Sequence, residues 1–243
     1  MSIQPSKTEE VREELRAASS IAVLTGAGIS EESGIPVFRG PDGLWKQYRA
    51  EDLATPEAFA RDPRLVWEWY DWRRSRIAAA RPNPAHEALV LLENHCPGFA
   101  LITQNVDGLH DLAGSRHVIK LHGDIWTLRC QHCGTVKSDR RVPLPEIPPR
   151  CACGGLLRPG VVWFGEALPP AAWQAAVEAA ESCALFLVVG TSAVVYPAAE
   201  LPMLAKHRGA KLIEINFEPT ALTPLADYSF VGKAGEMLPQ LVS

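Results

Sequence analysis

The feature that most constrains the fold is an alternation. Short apolar runs at 21–25, 99–103, 118–121, 185–189 and 212–215 are separated by amphipathic stretches at 7–18, 85–94, 171–182 and 198–207. Strand-like runs alternating with helical ones predict a parallel α/β sheet. Most of the runs are nearly continuously apolar, as strands covered by helices on both faces must be. Each run ends in a polar or glycine-rich turn: Gly26-Ala-Gly-Ile-Ser, Gln104-Asn-Val-Asp, His122-Gly-Asp, Gly190-Thr-Ser and Asn216-Phe-Glu. Open α/β sheets bind ligands outside the carboxyl ends of their strands. Five such turns would therefore meet around one crevice, and a site is expected there.

Two segments break the alternation. Residues 41–84 are rich in Trp, Arg and acids and read as a helical insert; residues 125–157 hold four of the six cysteines and a Pro-rich stretch. The expected division is a sheet domain from 1–40, 85–124 and 158–243, with 41–84 and 125–157 forming a smaller lobe. No internal repeat is present.

Within the second segment, Cys130-Gln-His-Cys133-Gly and Cys151-Ala-Cys153-Gly make two hooks. Four thiolates suit tetrahedral zinc, and a glycine after each hook lets the chain turn around sulfur. With all four positions filled by Cys130, Cys133, Cys151 and Cys153, no place is left for water, so the ion would be structural. His132 is a rival ligand, expected to face solvent instead. Clustered cysteines in a chain without an evident export signal favour metal over disulfides.

Net charge is −4 and the pI about 6.0, which gives no bias toward polyanions, so nucleic acid is not expected as a partner. No run of 18 apolar residues exists and residues 1–10 lack an apolar signal core. A cytoplasmic monomer that does not enter membranes is the expectation.

The first turn, Gly26-Ala27-Gly28, lets backbone come close to a pyrophosphate at a helix N-terminus. Alone it is equally a tight structural turn. Glu31 stands where a third glycine of the dinucleotide fingerprint belongs, and no acidic residue ends a second strand at the required distance. Asn216 and Glu218, late in the chain, could bond ribose hydroxyls.

The stretch 26–39 from Gly26 to Arg39, with Thr103-Gln-Asn-Val-Asp-Gly-Leu-His110, Leu121-His-Gly-Asp124, the paired hooks, Gly190-Thr-Ser192 and Ile215-Asn-Phe-Glu218, resembles the sirtuin family, motif by motif and in the family's order. The resemblance runs from about residue 21 to 241. It implies a Rossmann-like parallel-sheet domain, a zinc-bearing small domain, and a cleft in which NAD meets an acyl-lysine protein or peptide. It further implies that Gly26, Ala27, Gly28, Arg39, Gln104, Gly190, Thr191, Ser192, Asn216, Glu218 and Ala234 contact NAD. Asn105 and Asp107 would line the nicotinamide pocket, with His122 as general base. The stretch Val162, Trp163, Phe164, Gly165 and Glu166 would pair with the peptide backbone as an added strand. Arg39 alternatively forms an ion pair with Asp42.

The implied reaction is lysine deacylation with NAD consumed. Nicotinamide leaves, the acyl oxygen captures the ribose carbon, the activated ribose hydroxyl attacks the imidate carbon, and an O-acyl-ADP-ribose and free lysine result. A weak nucleophile needs close positioning, which Asn105 and Asp107 would supply at the carboxamide. A histidine of ordinary pKa near 6.5 can accept a ribose hydroxyl proton near neutral pH. On a helix, Tyr70 and Arg73 share one face and could hold a carboxylate. This pair resembles that of class III sirtuins, which remove succinyl and malonyl groups, and Ala50 matches a small residue that widens the acyl pocket there. The competing reading packs Tyr70 among Trp67, Trp69 and Trp72. Rival functions are a dehydrogenase, a non-catalytic acyl-lysine reader, a deacetylase-preferring sirtuin, and protein mono-ADP-ribosyl transfer. A dehydrogenase has no reason to bury His122 with a ribose, and a reader needs none of His122, Asn105 and Asp107.

Overall fold

The computed structural model describes residues 6–36 and 48–243. Its strands, in chain order, are β1 (Ser20–Thr25), β2 (Gly98–Thr103), β3 (Val118–Lys120), β4 (Gly123–Cys130), β5 (Val136–Ser138), β6 (Leu157–Val161), β7 (Leu185–Val189), β8 (Lys211–Asn216) and β9 (Tyr228–Val231). Six of them make one parallel sheet in the order β3-β2-β1-β7-β8-β9. The chain builds outward from β1 on one side, then returns to its other flank at β7 and builds the opposite way. That reversal is the topological switch point of a Rossmann-like sheet.

The continuous apolar character of the strands has a direct cause. Along β1, Ile21 and Val23 enter one core, while Ala22 and Leu24 enter another on the opposite face. The first core is closed by α1 (Lys7–Ala17), by α5 (Pro84–His95) and by α9 (Ala234–Val242), through Val11, Leu89 and Leu238. The second is closed by α7 (Pro170–Ser182) and α8 (Leu201–His207), through Ala176, Ala180 and Leu201. Period-two alternation thus serves two buried faces at once. Helix starts obey local chemistry: Ser6 and Glu9 form a reciprocal capping box on α1, and Asn83 caps α5 ahead of Pro84. The expected helix at 198–207 begins as a 3-10 turn, Ala198–Glu200, with Pro202 inside the first turn of α8. Neither β9 nor α9 is marked by the apolar alternation.

The insert folds as α2 (Ala50–Leu53), α3 (Pro56–Arg61) and α4 (Pro63–Ala79), the last two begun by Thr55 and Asp62 caps with Pro at the first helical position. A short helix, α6 (Leu109–Ala113), comes after β2. Strands β5, β4 and β6 make a three-stranded antiparallel sheet in that order, reaching a little beyond the 125–157 span at both ends. One core joins insert and sheet, with Phe59, Trp67, Tyr70, Ile125, Leu128 and Trp163 among its members. Among the described residues, no helix is long and apolar enough to cross a membrane.

Helix α4 is fastened to that sheet by polar bonds within the core. The Trp67 indole donates to the Leu157 carbonyl at 2.8 Å. The fully buried Arg74 donates to the carbonyls of Ile125 (2.9 Å), Asp139 (2.6 Å) and Arg141 (3.1 Å), and its guanidinium lies 5.0 Å from the Trp126 ring. A buried cation needs its donors met and a counter-charge near. Both Nη atoms are bonded and the Asp139 carboxylate lies 3.9 Å away, while among the described residues Nε has no hydrogen-bond partner. Replacing Arg74→Met strands three carbonyls in the core. We expect it to lower stability by about 3 kcal/mol in urea unfolding. A change within about 0.5 kcal/mol would mean that other donors reach those carbonyls.

Candidate functional site

At the switch point the turns after β1 and β7 touch backbone to backbone. Gly26 N–H donates to the Val189 carbonyl (3.1 Å) and Gly28 N–H to the Gly190 carbonyl (2.8 Å). A Cβ on Gly28 would stand 2.9 Å from Gly190 Cα, and one on Gly190 only 2.3 Å from Ile29 N. The glycines are therefore required by the neighbouring turn as well as by any ligand. After Gly26 the chain forms a 3-10 stretch, Ala27–Ser33. Its Glu32 accepts the Gly235 N–H at 2.7 Å, tying the glycine turn to the first turn of α9.

A cleft of about 280 Å³ opens over these turns, lined by Gly28, Glu32, Gly190, Asn216, Lys233 and Ala234. The Asn216 amide donates to the Glu218 carbonyl at 3.1 Å, and the Glu218 residue is exposed. Thr191 is buried and Ser192 exposed beside it; the Thr191 hydroxyl accepts from the Gln104 side chain at 3.0 Å. A glycine-lined cradle with hydroxyl and amide groups at its rim fits the pyrophosphate and ribose of a dinucleotide. Arg39 lies outside the described residues.

Below this cleft, the turn after β2 carries a bonded cluster. Asn105 donates to the Gly26 carbonyl (2.9 Å) and to the Ser30 hydroxyl (3.3 Å), and Ser30 donates to Asp107 (2.9 Å). Asp107 also accepts the Leu109 N–H at 2.8 Å. Burial pushes the Asp107 carboxyl up, against those bonds and the nearby Arg73 cation. Ser30 is the member that the residue pattern alone does not single out, though it lies in the glycine-turn motif itself.

His122 comes shortly after β3. Its Nδ1 lies 2.9 Å from the Gln104 carbonyl, which can only accept, so Nδ1 carries the proton and Nε2 is left basic. Burial pushes the imidazole below its ordinary pKa, with the Gln104 bond opposing. His110 differs in kind: it is buried against Thr25 Oγ1 at 3.0 Å and pushed down to about 3 by burial.

On the other side of His122, its carbonyl accepts the Val162 N–H at 2.9 Å. The segment 162–166 is a turn rather than a strand. Phe164 N–H goes to the Ala54 carbonyl (2.9 Å), Glu166 N–H to the Trp163 carbonyl (3.0 Å), and Trp163 N–H to the Glu166 carboxylate (2.8 Å). Of its five amides, Gly165 alone makes none of these bonds. A peptide strand docking here would rely on its carbonyls and that amide. Phe164 is exposed, whereas Trp163 is buried with Ala50 and Tyr70 in the smaller lobe's core. The Arg73 guanidinium sits 5.0 Å from the Trp69 ring and 5.7 Å from the Tyr70 ring, so helix α4 does put the pair on one face. Tyr70 is 1% exposed and packs against Trp67 and Trp69, while Arg73 is only partly buried.

The four clustered cysteines converge. Their sulfurs lie within 4.8 Å of one another, with Cys130–Cys153 at 3.5 Å and Cys133–Cys151 at 3.7 Å. Tetrahedral thiolates around zinc would be about 3.8 Å apart, from Zn–S near 2.3 Å. Disulfide sulfurs would be about 2.05 Å apart. Gly134 and Gly154 hold φ of 73° and 84°, closing each hook, and His132 is exposed. The donor set fits one structural zinc ion with no open position.

Residues 26–197 match the model of the Sir2 family. The chain belongs to the Sir2 family. Among Sir2 relatives, a protein of Aquifex aeolicus named NAD-dependent protein deacylase is 60% identical over 216 residues, covering 88% of this chain and 90% of that protein. A solved Sir2 homologue–NAD complex superposes with a TM-score of 0.93 at 49% identity, covering all of this chain and 95% of the other. A Sir2–p53 peptide–NAD⁺ structure gives 0.88 at 34% identity, over 97% of each chain.

Two outcomes are expected of this Sir2 protein. Elemental analysis should find one zinc per chain, and Cys151→Ser should lower zinc content and Tm together; full occupancy without Cys151 would break the four-thiolate assignment. A base that acts when neutral, with its pKa lowered, loses activity only as pH falls through a value below 6.5. The kcat/KM profile for peptide should thus plateau across neutral pH; an acid limb centred above 6.5 would exclude His122 as that base.

Proposed function

We propose that this Sir2-family enzyme, an NAD-dependent protein-lysine deacylase, prefers succinyl- and malonyl-lysine and retains deacetylase activity. The observation that carries the preference is the Tyr70–Arg73 pair on one face of α4, with the guanidinium 5.7 Å from the Tyr70 ring. Bound NAD supplies an ADP-ribosyl group once nicotinamide departs, and is consumed as a substrate.

The chain's own residues divide the remaining work. The turns at Gly26–Gly28 and Gly190–Ser192 would receive the pyrophosphate, with Gln104 beside them. Asn216 and Glu218 would bond the adenosine ribose, against Ala234. Asn105 and Asp107, braced by Ser30, would orient the carboxamide, where fixed donors and acceptors gain strength from exclusion of water. His122 Nε2 would take the ribose hydroxyl proton, its ring held by the Gln104 carbonyl. The turn at Val162–Glu166 would take the peptide backbone, and the acyl tail would pass Ala50 toward Tyr70 and Arg73. A carboxylate there receives one phenolic and one or two guanidinium hydrogen bonds; an acetyl methyl receives none. The ribose oxygen so freed would attack the acyl carbon, the C–N bond to lysine would break with uptake of one water, and the products would be nicotinamide, lysine and an O-acyl-ADP-ribose.

A mass-spectrometric time course with matched succinyl and acetyl peptides tests this reading. We expect succinyl removal to be faster, and Arg73→Met to reduce kcat/KM for succinyl peptide about 10- to 100-fold more than for acetyl peptide. Equal losses with both peptides would remove the pair's selective role. Nicotinamide release with no deacylation of either peptide would favour protein mono-ADP-ribosyl transfer.

A further inference from the structure

We propose that Trp163 is a positioning residue for acyl selection, its indole N–H fixing which way the Tyr70 hydroxyl can donate. The inference rests on the carboxylate-binding reading of Tyr70 and Arg73. The Trp163 Nε1–H donates to the Tyr70 oxygen at 3.0 Å, with both side chains almost wholly buried. An indole nitrogen has a proton and no usable lone pair, so the polarity of this bond is not negotiable: tryptophan gives and tyrosine accepts. A phenol has a single proton. Among the described residues Tyr70 donates it to no acceptor, and an ionised carboxylate can only accept. The indole thus fills the acceptor side of the hydroxyl and leaves its donor side for an acyl tail that ends in an acceptor.

The indole is itself held rigidly. The Arg158 guanidinium lies 3.4 Å from its ring, and Phe59 packs at 5.2 Å between ring centres. Arg158 is fixed in turn by both Glu166 oxygens, at 2.6 and 2.8 Å, and by the Val161 carbonyl at 2.9 Å. Glu166 also accepts the Trp163 backbone N–H. The turn proposed to take the peptide backbone is therefore joined to the proposed acyl pocket through one aromatic ring. A short chain of contacts runs Glu166, Arg158, Trp163, Tyr70, with Arg73 alongside. Since an acetyl group ends in methyl, the orientation of the Tyr70 proton matters only for acyl groups carrying a terminal acceptor.

The test compares succinyl and acetyl peptides in four forms of the full chain: wild type, Trp163→Phe, Tyr70→Phe and the double variant. A fifth form carries 3-benzothienylalanine at position 163, which keeps the ring shape and replaces N–H by sulfur. We expect Trp163→Phe and the benzothienyl form each to lower the succinyl-to-acetyl ratio of kcat/KM about five-fold, mostly through KM for succinyl peptide. In the Tyr70→Phe background the same change should move the ratio by less than about two-fold, because the hydroxyl it orients is gone. An unchanged ratio overturns the proposal, as does an equal fall in both backgrounds. A fall in Trp163→Phe that the benzothienyl form does not share also overturns it, assigning the effect to packing. If Tyr70→Phe itself leaves the ratio untouched, the carboxylate reading fails first and the inference falls with it.

Discussion

The contact between the Gly28 and Gly190 backbones is the constraint on which the rest of the site depends. Parallel strands β1 and β7 lie side by side, yet the chain leaves them toward opposite edges of the sheet. A crevice must open between their ends. How wide it opens depends on how closely the two turns approach, and any side chain at either glycine would wedge them apart. Their close approach brings the Ser30 hydroxyl, later in the 27–33 stretch, within reach of Asn105 and Asp107 on the neighbouring β2 turn. It also sets the floor of the cleft that α9 and the end of β8 wall in.

The second lobe depends on a different balance. Its insert and its antiparallel sheet come from segments far apart in the chain, and neither has a face that could be left uncovered. Helix α4 supplies both the apolar cover and a buried cation, Arg74, whose fork of donors spans carbonyls from three places. The next residue, Arg73, points the other way, over Trp69 and Tyr70. Adjacent arginines on one helix thus have opposite tasks, one locking the lobe and one facing the proposed acyl pocket. Residues one apart on a helix do not share a face, and the division of labour is a consequence of that geometry.

Whatever depends on local pattern is legible in the residues alone. Strands β1, β7 and β8 can be read because burial on both faces leaves continuous apolar runs, and the zinc cluster because ligand spacing survives in one dimension. β9 cannot: it is four residues long at the sheet's edge, with its side chains half-buried or exposed. Helix α9 carries Pro239 within it, which argues against a helix locally, and tertiary packing of Leu238 and Leu241 overrides that. Ser30 stands inside a family motif, yet its bond to Asp107 spans 77 positions and has no local signature. The bond between Trp163 and Tyr70 is hidden for the same reason. Each residue belongs to a motif of its own segment, and only the folded chain makes them neighbours.

Gln104 touches two parts of the site with two different groups. Its main-chain carbonyl holds His122, and its side-chain amide holds Thr191 on the turn after β7. In machining, two holes are kept aligned by measuring both from one datum, so that errors do not accumulate between them. Gln104 is such a datum. The proposed base and the proposed cofactor turn are each referenced to the same residue, so the spacing between them is set through Gln104.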